Sequence, residues 1–150
     1  MIEMRCPTPE DTSGVARRLA PLVVPGDLIV LSGGLGAGKT LFAAALAAAL
    51  GVEETVVSPT FVLMRMYSSG FMPFVHADVY RLGTMNEFDD LDVFEQARHG
   101  LLVVEWGNAV ATALPEDHLV VRFDVESDGA RVLSLLPSGS WPDRLNGFSS

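Results

Sequence analysis

Apolar residues along this chain switch between helical and strand-like spacing, with glycine or proline at most of the switches. Val15, Ala16, Leu19, Leu22 and Val23 recur at helical spacing, which predicts a helix over 9–23 with Glu10, Asp11 and Thr12 as capping groups and Pro25-Gly26 as its stop. Residues 28–31 are an unbroken apolar run of strand length, as expected for a strand buried on both faces. A glycine cluster follows, and the Ala- and Leu-rich stretch 39–50 then predicts a second helix that Gly51 ends.

Strand-forming residues occupy 60–67 and 71–80, and Ser68-Ser69-Gly70 between them predicts an antiparallel hairpin. Residues 86–99 are acidic and irregularly amphipathic and predict one or two short helices, and 101–104 is a second buried apolar strand. Residues 118–125 and 131–136 flank Ser127-Asp128-Gly129, whose Asp-Gly pair predicts another hairpin. Rich in Ser, Gly, Pro and Asn, 138–150 reads as a loosely held tail. Strands interleaved with helices define an α/β chain. With no internal repeat and no dividing linker, one domain is expected over 1–137.

Composition narrows the function classes. The 150 residues, 49% hydrophobic and 19% charged, suit a chain that buries its own core and exclude a disordered or charge-rich coiled-coil protein. Ten basic residues against 19 acidic ones leave a formal charge of −9, which argues against non-specific binding to duplex nucleic acid; any contact with RNA is expected to be indirect. The longest apolar stretch, 41–50, is too short to cross a bilayer, and the start lacks a basic segment followed by an apolar one, so a cytoplasmic protein with no membrane partner is expected. The single cysteine, Cys6, can form no internal disulfide, in keeping with a reducing compartment.

The chemistry concentrates in Gly33-Gly34-Leu35-Gly36-Ala37-Gly38-Lys39-Thr40, which matches G-x-x-x-x-G-K-[ST] without a mismatch. Glycines let successive backbone N–H groups turn inward around a phosphate, and the helix that follows adds the positive end of its dipole. Lys39 is placed to reach the β- and γ-phosphates as a point charge, and the Thr40 hydroxyl to ligate Mg²⁺. Such a loop also needs carboxylates, to hold the ion and to orient water. Glu105 follows the apolar run 101–104 and so stands at the carboxyl edge of a buried strand, where ligands bind in open α/β sheets. In Val75-His76-Ala77-Asp78-Val79-Tyr80, alternation puts His76, Asp78 and Tyr80 on one face, either in the site or in solvent. Ser58-Pro59-Thr60 reads as a turn or, by analogy with switch loops, as a γ-phosphate sensor. His99 and His118 lack metal-ligand spacing, and Trp106 reads as an aromatic anchor.

Several of these segments together resemble one family, the small P-loop ATPases called TsaE or YjeE of bacterial tRNA threonylcarbamoyladenosine biosynthesis. They are Gly26-Asp27, Leu35 to Thr40, Ser58-Pro59-Thr60-Phe61, His76-Ala77-Asp78-Val79-Tyr80-Arg81-Leu82 and Glu105-Trp106, spread over roughly 9–135. The resemblance implies a compact P-loop NTPase fold with a mixed, mostly parallel central sheet and an antiparallel hairpin, flanked by helices. It further implies that ATP phosphates lie on Gly33 and the run from Gly36 through Ala37, Gly38, Lys39 and Thr40 to Leu41, with Mg²⁺ on Thr40 and Glu105. Asp78 would be the essential acid near the γ-phosphate, Thr60 part of a switch-like segment, the region of Pro9 and Glu10 a neighbour of the adenine, and Arg131 the arginine that approaches the nucleotide. Gly34, where members usually carry Asp or Asn, and the stretch near Asp89, where they usually carry Gly, depart from the pattern without removing a phosphate or metal ligand. The implied partners are the transferase proteins TsaD and TsaB, which would handle the tRNA. On this reading the chain is an ATPase, catalysed by Lys39, Asp78 and Glu105 and slow without partners because no arginine finger is evident. A small-molecule kinase and a non-catalytic nucleotide sensor are the other readings of the loop.

Overall fold

The structure, a computed structural model, describes residues 1–34, 36–57, 64–78, 95, 97–106 and 115–148. Seven strands form one sheet in the order β1-β7-β6-β2-β5-β4-β3, where β1 is Ile2–Cys6, β2 Leu28–Gly33, β3 Met64–Tyr67, β4 Phe74–Asp78, β5 Leu101–Trp106, β6 Leu119–Val125 and β7 Arg131–Pro137. The four central strands, β6, β2, β5 and β4, run parallel to one another, and antiparallel pairs close both edges. The expected mixed sheet is therefore present, with its parallel part confined to the centre.

Helices α1 (Pro9–Leu19) and α2 (Lys39–Ala49) cover one face of this sheet. Ile29 and Leu31 of β2, Val103 of β5, Val121 and Phe123 of β6 and Leu133 and Leu135 of β7 point into that layer, against Leu19, Phe42 and Leu46. α2 is apolar nearly all round because Ala and Leu favour a helix and the helix packs against both sheet and α1. α1 differs from expectation at its ends. Thr8 is the N-cap, in a reciprocal box with Asp11, and the helix gives way to a 3₁₀ turn at Ala20–Leu22. Pro9 occupies the first turn, where its missing N–H costs nothing.

Two elements depart from the sequence reading. β1 was not anticipated: its alternation of inward Met4 and Cys6 with outward Glu3 and Arg5 covers too few residues to stand out, and pairing with β7 is what makes it a strand. The loop between β3 and β4 is longer than a tight turn, because the Phe71 N–H bonds the Leu50 carbonyl at 2.9 Å and the Ser69 hydroxyl receives the Glu53 N–H. The hairpin joining β6 to β7 matches expectation, with Val125 opposite Arg131 and Gly129 at φ 87°. Among the described residues, no helix is long and apolar enough to cross a membrane. The short helices expected within 86–99 fall almost wholly outside the described residues.

The segment beyond Pro137 corrects the expectation of a loose tail. α3 (Trp141–Arg144) puts the Trp141 side chain wholly inside the core, followed by Leu145. Arg144 closes a fork-to-fork ion pair on buried Asp27, at 2.5 and 3.0 Å, and lies over the Trp141 ring. Polar composition suggested looseness, but one buried indole and one bidentate pair outweigh the entropy of ordering a short helix. Trp141→Ala should therefore cost about 3–5 kcal/mol in urea unfolding, and a variant that unfolds at the unaltered midpoint would show that the helix adds no stability.

Candidate functional site

Strand β2 ends at Gly33, and α2 begins at Lys39, so the glycine loop is the short turn from the carboxyl edge of the sheet into a helix N-terminus. Gly36 and Gly38 take φ values of 77° and 105°, which side chains other than glycine adopt only at a cost. Gly33 has a second reason to be glycine: a Cβ there would lie 2.9 Å from the Phe123 carbonyl oxygen of β6. Among the described residues, no side chain caps the first turn of α2. Its N–H groups and dipole therefore favour an anion at the loop.

The loop is held from outside by an arginine. Arg131, the first residue of β7, donates from Nε to the Ala37 carbonyl at 3.2 Å and from Nη2 to the Gly36 carbonyl at 2.9 Å. Nη1 adds a bond to the Gly129 carbonyl in the hairpin. With these carbonyls engaged on the guanidinium, the arginine constrains the peptide planes of the loop. The resemblance placed Arg131 toward the nucleotide, and here its donors serve the loop backbone. Lys39 Nζ donates to the Gly33 carbonyl at 2.5 Å, which sets its positive charge over the loop. Leu41 is partly exposed in the first turn of α2.

Parallel register carries the acids to the same edge. Leu31 of β2 pairs with Glu105 of β5, and Glu105 pairs with Asp78 of β4, so the two carboxylates stand side by side on one face at the strand ends. Both are buried, at 6% and 8% exposure. Glu105 meets the Thr40 hydroxyl at 3.1 Å through Oε2 and 3.3 Å through Oε1, and His76 Nε2 lies 2.6 Å from Oε2. Asp78 and His76 are thus enclosed at the edge of the site rather than in solvent. His76 is the residue whose part was missed; the alternation that puts it on the face of Asp78 was the available signal.

The remaining expectations divide. Pro9 and Glu10 are exposed at the start of α1. It is Thr12, one turn further, whose Cγ2 lies 4.0 Å from where a Cβ on Gly38 would stand. Leu35, Ser58, Pro59, Thr60, Tyr80, Arg81 and Asp89, with the side chain of Trp106, lie outside the described residues. The donor set suits a hard divalent cation, since the Thr40 hydroxyl and the Glu105 carboxylate are oxygen donors that meet at 3.1 Å. A divalent ion here would share Thr40 and Glu105 with phosphate oxygens.

Known proteins of one family are similar to this chain over most of its length. The family model "Threonylcarbamoyl adenosine biosynthesis protein TsaE" matches residues 6–133. The tRNA threonylcarbamoyladenosine biosynthesis protein TsaE of Bacillus subtilis is 34% identical over 139 residues, covering 93% of this chain and 87% of that one. The protein of the same name from Streptomyces coelicolor is 46% identical over 113 residues, 73% and 76% of the two chains. The crystal structure of Bacillus subtilis YdiB superposes with a TM-score of 0.75 at 28% identity, covering 97% of this chain and 91% of that one.

Removing the arginine brace should loosen the loop without unfolding the sheet. In Arg131→Ala, backbone ¹⁵N order parameters over 36–40 are expected to fall toward the flexible range, below about 0.6. Lys, which lacks the planar fork, should restore little of the order. Unchanged order parameters would mean that the loop holds its shape alone.

Proposed function

The chain belongs to the TsaE family of tRNA threonylcarbamoyladenosine biosynthesis proteins, and on that premise we propose that it is a magnesium-dependent ATPase that drives the modification by acting on a transferase of the TsaD–TsaB kind. The observation that carries this reading is the meeting of the Thr40 hydroxyl with Glu105 at 3.1 Å, across 65 positions of sequence, beside an uncapped helix N-terminus. A loop that favours phosphate and an acid that faces its hydroxyl are the two parts a nucleotide triphosphate site needs.

The division of work follows from the chemistry of each group. The N–H groups of Gly36, Ala37, Gly38, Lys39, Thr40 and Leu41 cradle phosphate oxygens, and Lys39 offsets charge that spreads over the β- and γ-phosphates as the bond to the leaving oxygen lengthens. Thr40 and Glu105 would hold Mg²⁺, which when bound supplies further neutralisation of that charge. Asp78, beside Glu105 on the neighbouring strand, orients water for attack on phosphorus. By the family resemblance Thr60 belongs to a switch-like segment, and the start of α1 near Pro9 borders the base. The acidic character of the chain, −9 overall, suits a component that leaves tRNA to its partner and contributes nucleotide-driven change of shape.

The test is the reconstituted modification reaction with Lys39→Ala, Asp78→Ala and Glu105→Ala. Each is expected to lower modification and phosphate release by about 10²-fold or more, the scale of losing one preorganised electrostatic contact. Full activity from all three variants would refute the proposal. With γ-labelled ATP the label should emerge as free phosphate; label in a small metabolite would point to a kinase instead.

A further inference from the structure

Glu105 is turned toward the glycine loop by two contacts, and one of them comes from the interior. Thr40 approaches from the loop, whereas His76 approaches from within the sheet, two residues before Asp78 on β4 and on the same face. His76 is wholly buried, and among the described residues its Nδ1 meets no hydrogen-bond partner. Its polar contact within that set is the 2.6 Å approach to Glu105 Oε2. An imidazole is a costly choice for filling core space when one ring nitrogen goes unmet. Asp78 stands in register with Glu105 on the neighbouring strand, so the direction in which the Glu105 carboxylate points decides whether it serves Thr40.

We propose that His76 is the positioning residue for Glu105, donating Nε2–H to Oε2 and so holding the carboxylate against Thr40. The proposal rests on the nucleotide reading above, since that carboxylate matters as a holder of the magnesium–nucleotide complex. Hydrogen-bond partners behind a metal-binding group fix its direction, and losing one commonly costs about 10–100-fold in metal affinity. A positioning residue therefore changes how strongly magnesium improves nucleotide binding. A merely structural residue weakens binding equally with and without the ion.

The test measures the dissociation constant of a fluorescent ATP analogue, in magnesium and in EDTA, for the unaltered chain, His76→Leu and His76→Gln, with thermal melts alongside. Glutamine retains an N–H donor and leucine does not. The improvement due to magnesium should fall by about tenfold in His76→Leu and by no more than about threefold in His76→Gln, while the constants in EDTA agree within about twofold. Unchanged improvement in a folded His76→Leu overturns the proposal. Absence of any nucleotide binding by the unaltered chain sinks the nucleotide reading, and this proposal with it, in a recognisably different way. Should His76→Leu fail to fold, ¹⁵N imidazole spectra of the unaltered chain without nucleotide or metal decide the matter. A protonated Nε2 whose proton resonance shifts upfield in Glu105→Gln supports the anchor, and an Nε2 without a proton, or one indifferent to that substitution, overturns it.

Discussion

Parallel pairing of β2 with β5, and of β5 with β4, is the constraint on which the site depends. It sets Leu31, Glu105 and Asp78 level across three strands. Because side chains alternate between the faces of a sheet, a slip of one residue in either ladder would carry Glu105 or Asp78 to the opposite face. The register is protected by burial. Leu101 and Val103 on one face of β5 and Leu102 and Val104 on the other are all buried, so a slip would exchange side chains of different shape between two close-packed layers. Energy invested in the core thereby places two acids at the edge where the glycine loop begins.

The loop itself is a compromise between freedom and restraint. Its positive-φ glycines permit a path that a chain with side chains would resist, and glycine brings flexibility along with permission. Arg131 answers that flexibility from β7, two strands away from β2 in the sheet, with three donors on Gly36, Ala37 and Gly129. Because Arg131 begins β7, the β6–β7 hairpin and the loop are mechanically joined. The Gly33–Phe123 approach joins them again along β6. The glycine loop is thus coupled to the β6–β7 hairpin.

The same economy appears at the opposite end of β2. Asp27, just before the strand, accepts the Val24 N–H at 2.7 Å and the Arg144 fork, and so ties the C-terminal helix to the strand that feeds the loop. The Gly26-Asp27 pair of the resemblance thereby has a structural task in this chain, at the end of β2 away from the glycine loop.

Local sequence was enough for the strand–glycine-loop–helix unit, the two hairpins and the candidacy of Lys39, Thr40, Glu105 and Asp78, because each is written in neighbouring residues: apolar run length, glycine spacing, period-two alternation, Asp-Gly at a turn. What tertiary structure decided was everything that depends on partners far along the chain. β1 is a strand because β7 lies beside it, Trp141 is core because a pocket awaits it, Arg131 serves the loop because the hairpin swings it there, and His76 lies against Glu105 because β4 sits next to β5. Those roles are set by non-local pairing and packing, whose energies no short window of sequence contains.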